Sequence, residues 1–147
     1  MIKRAAFLFM ASMITSASAC ELTIENAYVR SVIPGVPNTA AFLSIANDCQ
    51  QPVSLVSGQT DVADRVELHT HVHDDGMMKM RQVDAIVVPA SGSVQLKPGG
   101  YHLMMMGVDP SINQATSIPI LLTFSNGKQL SFDAPLKDVK SSHHHHH

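Results

Sequence analysis

With 147 residues, 45% of them hydrophobic, the chain can bury one substantial core and is short for two. Its formal net charge is −2; setting aside Lys3 and Arg4 as part of an N-terminal leader leaves 8 basic against 12 acidic residues, a balance of −4. Such a charge excludes a nucleic-acid-binding role.

The leader is the first element. Met1-Ile2-Lys3-Arg4, an apolar run from Ala5 to Ile14 and the small residues Ala17-Ser18-Ala19 form the three parts of a secretory signal peptide over residues 1–19. The run is too short to span a bilayer and nothing later approaches the required length, so the mature chain is expected to be a soluble periplasmic protein without a transmembrane segment. Cleavage after Ala19 leaves Cys20 first, a position that also fits lipidation; Ala17, standing where lipoprotein signals usually carry Leu, favours the soluble form.

Residues 20–140 read as one all-β domain. Candidate strands are Leu22 to Arg30, Thr39 to Asn47, Val53 to Ser57, Arg65 to Val72, Met77 to Val83, Ile86 to Val88, Ser93 to Lys97, Tyr101 to Val108, Ile118 to Ser125 and Gln129 to Asp133. Pro34-Gly35, Asp74-Asp75-Gly76, Pro98-Gly99-Gly100, Asp109-Pro110 and Asn126-Gly127 separate them, the last being a strong hairpin signal. Short strands at this spacing predict a Greek-key sandwich or barrel. Cys20 and Cys49 flank the first two strands; antiparallel pairing of those strands would bring the sulfurs within reach, so a disulfide is expected in an oxidising compartment. The tail, His143 to His147 after Lys140-Ser141-Ser142, is either a native extension or a purification tag; as a native extension it would be an imidazole-rich metal collector.

Outside leader and tail, every His and Met falls between residues 69 and 106: His69, His71, His73, Met77, Met78, Met80, His102, Met104, Met105 and Met106. Methionine used only to fill a core would scatter along the strands. A thioether is a soft neutral donor that needs no deprotonation and forms no disulfide, so His and Met together point to Cu(I) rather than zinc. Alternation places His102, Met104 and Met106 on one face, and Tyr101, Leu103 and Met105 on a core face. In the preceding hairpin Glu67, His69, His71 and His73 share the face opposite Val66, Leu68 and Val72. A tight turn at Asp74-Asp75 would set His69 opposite Met80, whereas a bulge at Gly76 would shift that register. Met77 and Met78 are expected to be packing or rim residues.

The pattern His69, ten residues, Met80, twenty-one residues, His102, one residue, Met104 resembles the copper-binding signature of the periplasmic PCu(A)C copper chaperones. "ENAYVRSVIPGVPNTAAFLSIAND", "DDGMMKMRQV" and "LKPGGYHLMMMG" are similar to that family's first strand pair, metal-site hairpin and metal-site strand. The resemblance implies a cupredoxin-like β-sandwich, with His69, Met80, His102 and Met104 as Cu(I) ligands. It also implies a carrier that passes copper toward respiratory oxidase centres, directly or with Sco-type proteins; the chain itself is expected to be a monomer. His71 and His73 are additional to the signature; with His143, His145 and His147 they are candidates for a secondary site for Cu(II).

The alternative is a zinc or iron metalloenzyme on the His69, His71 and His73 face, with Glu67 or Asp75 as a general base; it leaves the methionines without a purpose. A blue-copper electron carrier would need a cysteine beside the histidines, and neither cysteine is near them in sequence. No Gly-rich phosphate loop or Gly-x-Ser-x-Gly nucleophile motif is present.

Overall fold

The structure, a computed structural model, describes residues 20–138. The expected signal peptide over residues 1–19, the last two residues of the expected 20–140 domain and the tail histidines His143, His145 and His147 lie outside the described residues. The strands are β1 Leu22–Arg30, β2 Asn38–Asn47, β3 Val53–Gln59, β4 Arg65–Asp74, β5 Met77–Gln82, β6 Ile86–Val88, β7 Gly92–Leu96, β8 His102–Met106, β9 Ser117–Phe124 and β10 Gln129–Lys137.

One layer runs β5-β4-β8-β2-β1, the other β10-β9-β3-β6, and a short parallel pairing of β1 with β10 joins them. Strand β2 is long enough to pair twice along one edge: Asn38–Ala41 with β8, and Leu43–Asn47 with β7. Between the layers lie Leu43, Ile45, Leu55, Ile86, Leu103, Met105, Leu122 and Phe124, all fully buried. Each such side chain stabilises the fold by about 1.5–3 kcal/mol relative to exposure. The result is the expected all-β, cupredoxin-like sandwich.

Antiparallel pairing of β1 with β2 sets Leu22 opposite Asn47, which brings Cys20 to Cys49, and the two form a disulfide with Cα atoms 4.7 Å apart. Closing a loop of this length stabilises the fold by roughly 3–4 kcal/mol on the chain-entropy account.

Four local expectations are revised. Tyr101 precedes β8 and is 37% exposed, so it does not join Leu103 and Met105 in the core. Strand β10 continues past Asp133 to Lys137; Pro135 removes one donor, but its neighbour Leu136 donates to the Thr116 carbonyl and pairs across to Val29. A 3₁₀ turn at Pro110–Gln114, too short for any periodicity, is capped by the Asp109 carboxylate accepting from the Ser111 amide and buries Ile112.

The fourth revision concerns the β4–β5 hairpin. Its turn is Asp75-Gly76, both residues having positive φ (50° and 76°), as the two-residue Asp-Gly turn that matches strand twist requires. The register is therefore two residues from the one expected for a turn at Asp74-Asp75. His71, not His69, lies opposite Met80, and His69 lies opposite Gln82. Because the offset is even, every side chain keeps its face.

Candidate metal centre

Strands β5, β4, β8 and β2 lie side by side, and the donors project from the face of this layer opposite the core. On β8, Leu103 and Met105 are fully buried inward, so His102, Met104 and Met106 must project outward. His102 pairs directly with His69, Met104 with Glu67, and Met80 with His71. Residues from β4, β5 and β8, far apart in the chain, thus meet on one face.

A cavity of about 310 Å³ opens on this face, lined among others by Arg30, Phe42, His71, Met80, His102 and Met104. The structure brings together three of the four signature residues there, with His71 added. His69 lies outside the cavity lining, its ring centre 5.7 Å from that of His102, and the His71 ring centre is 5.4 Å from His102. Phe42 is buried yet lies outside the core cluster, packing against His102 at 6.2 Å with the Arg30 guanidinium 4.9 Å above its ring. It forms an apolar wall to the site, and nothing in its own sequence context identified it.

The hydrogen bonds fix how the imidazoles are presented. His102 Nδ1 lies 3.1 Å from the Gly100 carbonyl oxygen. A carbonyl only accepts, so Nδ1 carries the proton and the Nε2 lone pair of the neutral ring is left to bind. Burial at 3% exposure pushes the His102 pKa below its ordinary value, partly opposed by the Gly100 bond, so the ring is neutral at physiological pH. His69 is oriented the other way round. Its Nε2 lies 2.8 Å from Glu67 Oε2, and its Nδ1 is buried with no hydrogen-bond partner.

Glu67 stays ionised. Its hydrogen bond to His69 is the main cause of its lowered pKa, helped by Arg65, whose Nε is 2.9 Å away. A carboxylate gripping one imidazole nitrogen is the outer-sphere pattern seen with metal-binding histidines. His71 Nδ1 is likewise buried without a partner. An orphaned imidazole nitrogen is costly to bury unless something binds it.

Imidazoles and thioethers line the cavity together, and among the described residues no three His, Cys, Asp or Glu side chains form a metal group. That donor mixture suits a soft ion and disfavours zinc. The remaining expected residues sit at the rim. His73 is exposed, Met77 and Met78 are 61% and 52% exposed, and Met106 sulfur accepts from Arg65 Nε at 3.2 Å.

Comparison with known proteins agrees with this geometry. The profile of the family described as "Putative lipoprotein LpqE-like" matches residues 22–136. A protein of Leifsonia xyli subsp. xyli described as "Putative lipoprotein Lxx21020" is 28% identical over 120 residues, covering 81% of this chain and 71% of its own. The solution structure of CuI-DR1885 from Deinococcus radiodurans is 32% identical, covers 78% of this chain and 76% of its own, and superposes with a TM-score of 0.63. The copper-bound PCuAC domain from PmoF2 shares the fold at a TM-score of 0.67 and 19% identity, covering 80% of this chain and 93% of its own. The chain belongs to the LpqE-like family of PCu(A)C-type domains.

Proposed function

We propose that the chain is a periplasmic copper chaperone that holds one Cu(I) on His69 Nδ1, His102 Nε2 and the sulfurs of Met80 and Met104, and passes it to a copper-accepting protein. Family membership and the 32%-identical relative solved with Cu(I) support a copper-chaperone role rather than an enzyme. The alternative of a zinc or iron enzyme on the His69, His71 and His73 face is thereby set aside.

One observation carries the ligand assignment. His102, with one ring nitrogen tied to the Gly100 carbonyl, lines a cavity together with Met80 and Met104, and His69 next to it has one ring nitrogen tied to Glu67 and the other buried without a partner. Neutral donors of this kind bind Cu(I) without releasing protons, and a partner's thiolate can displace the weaker thioethers one at a time. The recipients in this reading are the copper subunit of a respiratory oxidase, reached directly or through Sco-type proteins. His71 and His73, with His143, His145 and His147 of the tail, would supply the secondary Cu(II) site. The reading places a monomer in the periplasm after removal of residues 1–19. No described helix is long and apolar enough to cross a membrane.

Titration with Cu(I) against a competing chromophoric chelator tests the assignment. Replacing His102 with Ala, or Met80 with Leu, should weaken binding sharply; unchanged affinity in both variants defeats it.

A further inference from the structure

The β4–β5 hairpin repeats its donors in a way the four-residue signature does not use. His71 lies opposite Met80, and one step nearer the turn His73 lies opposite Met78. Both pairs face the same side, since residues two apart on a strand share a face, and they are separated by roughly 6.6–6.8 Å along it. Two successive rungs therefore each carry one imidazole and one thioether.

The outer rung stands in solvent, with His73 exposed and Met78 52% exposed. Strand β5 is also the free edge of its layer. Apolar side chains on such an edge gain little from burial and invite strand-to-strand aggregation, so a charged residue would be the ordinary choice. The opposite face of the same hairpin carries a Lys79–Asp74 ion pair at 2.9 Å beside the exposed Met77, which has no imidazole across from it, so only the His73–Met78 rung pairs a thioether with an imidazole in solvent. Between the outer rung and the cavity stands His71, half-buried, with its Nδ1 buried and unpartnered. It lines the cavity with Met80, His102 and Met104.

We propose that His73 and Met78 form a second, weaker Cu(I) site at the hairpin tip, through which copper passes to and from the cavity by way of His71. The proposal rests on the Cu(I) reading above. Each step exchanges one donor for another on the same Cu(I) ion, with no change of oxidation state. A station close to the main site raises the local concentration of the departing ion's next ligand, which accelerates transfer without strengthening the resting complex.

The experiment uses the full chain with His143 to His147 replaced by serine, so that the tail takes no copper. The protein is loaded with Cu(I), and its release to bathocuproine disulfonate is followed by stopped flow; equilibrium competition is measured on the same samples. The double variant His73→Thr/Met78→Leu should transfer copper about tenfold more slowly while the cavity affinity stays within about twofold of the parent. The retained affinity itself reports an intact fold. An unchanged rate overturns the proposal, as does a slower rate accompanied by an equal loss of affinity, which would make the rung part of the cavity site. Failure of the parent chain to take up any Cu(I) would instead remove the copper reading on which the proposal stands.

Discussion

Met104 and Met105 are adjacent residues of one type on one strand, yet their surroundings differ completely. Met105 is fully buried among Leu68, Leu103 and the rest of the apolar cluster. Met104 points through the other side of the sheet, opposite Glu67, into a cavity with two imidazoles. His102 and Leu103 divide in the same way. The pleat alone decides whether a thioether faces the core or the cavity, and neither composition nor local hydrophobicity distinguishes the two.

The sharpest way to break this contrast is to truncate each side separately. Met105→Ala should destabilise the fold by about 2–5 kcal/mol through the cavity it leaves, read by denaturant unfolding, with Cu(I) affinity of the folded protein nearly unchanged. Met104→Leu, nearly equal in volume, should cost less than about 1.5 kcal/mol of stability. It should nevertheless weaken Cu(I) binding by at least about 100-fold in chelator competition, equivalent to roughly 2.7 kcal/mol. Equal effects of both substitutions on copper would erase the distinction.

Glu67→Gln refines the donor side. It keeps the shape but loses the charge that orients His69, and should reduce Cu(I) affinity by about tenfold, near the lower end of outer-sphere effects. The smallest effect belongs to Asp109, remote from the metal face. Its carboxyl is held below the ordinary range mainly by hydrogen bonding to Ser111. A lowered folded-state pKa contributes stability above the unfolded-state pKa and loses it as pH falls through the folded value. Asp109→Ala should therefore lower Tm slightly at neutral pH, with the gap from the parent closing in acid and copper binding unaffected.

Much of the fold was legible because its strands are separated by strong turn chemistry and alternate cleanly, and the Cys20–Cys49 pairing followed from where the first two strands begin and end. Family membership was legible from rare residue types at fixed separations. The hairpin register was not: Asp74-Asp75-Gly76 offers two adjacent turns, and the positive φ of Asp75 and Gly76 selects the later one. The faces survived the error only because the offset is even. Phe42 and Arg30, the wall beside His102, were illegible because they come from β2, which pairs with β8, and from β1 one strand beyond, and that order is a property of the sheet rather than of any local pattern. The double use of β2 by β7 and β8 escaped for the same reason.

The bond between Cys20 and Cys49 also bears on how the protein can be attached to a membrane. A sulfur already joined to another sulfur has no valence left for a thioether to a diacylglyceryl group, so this disulfide and a lipid on Cys20 exclude one another.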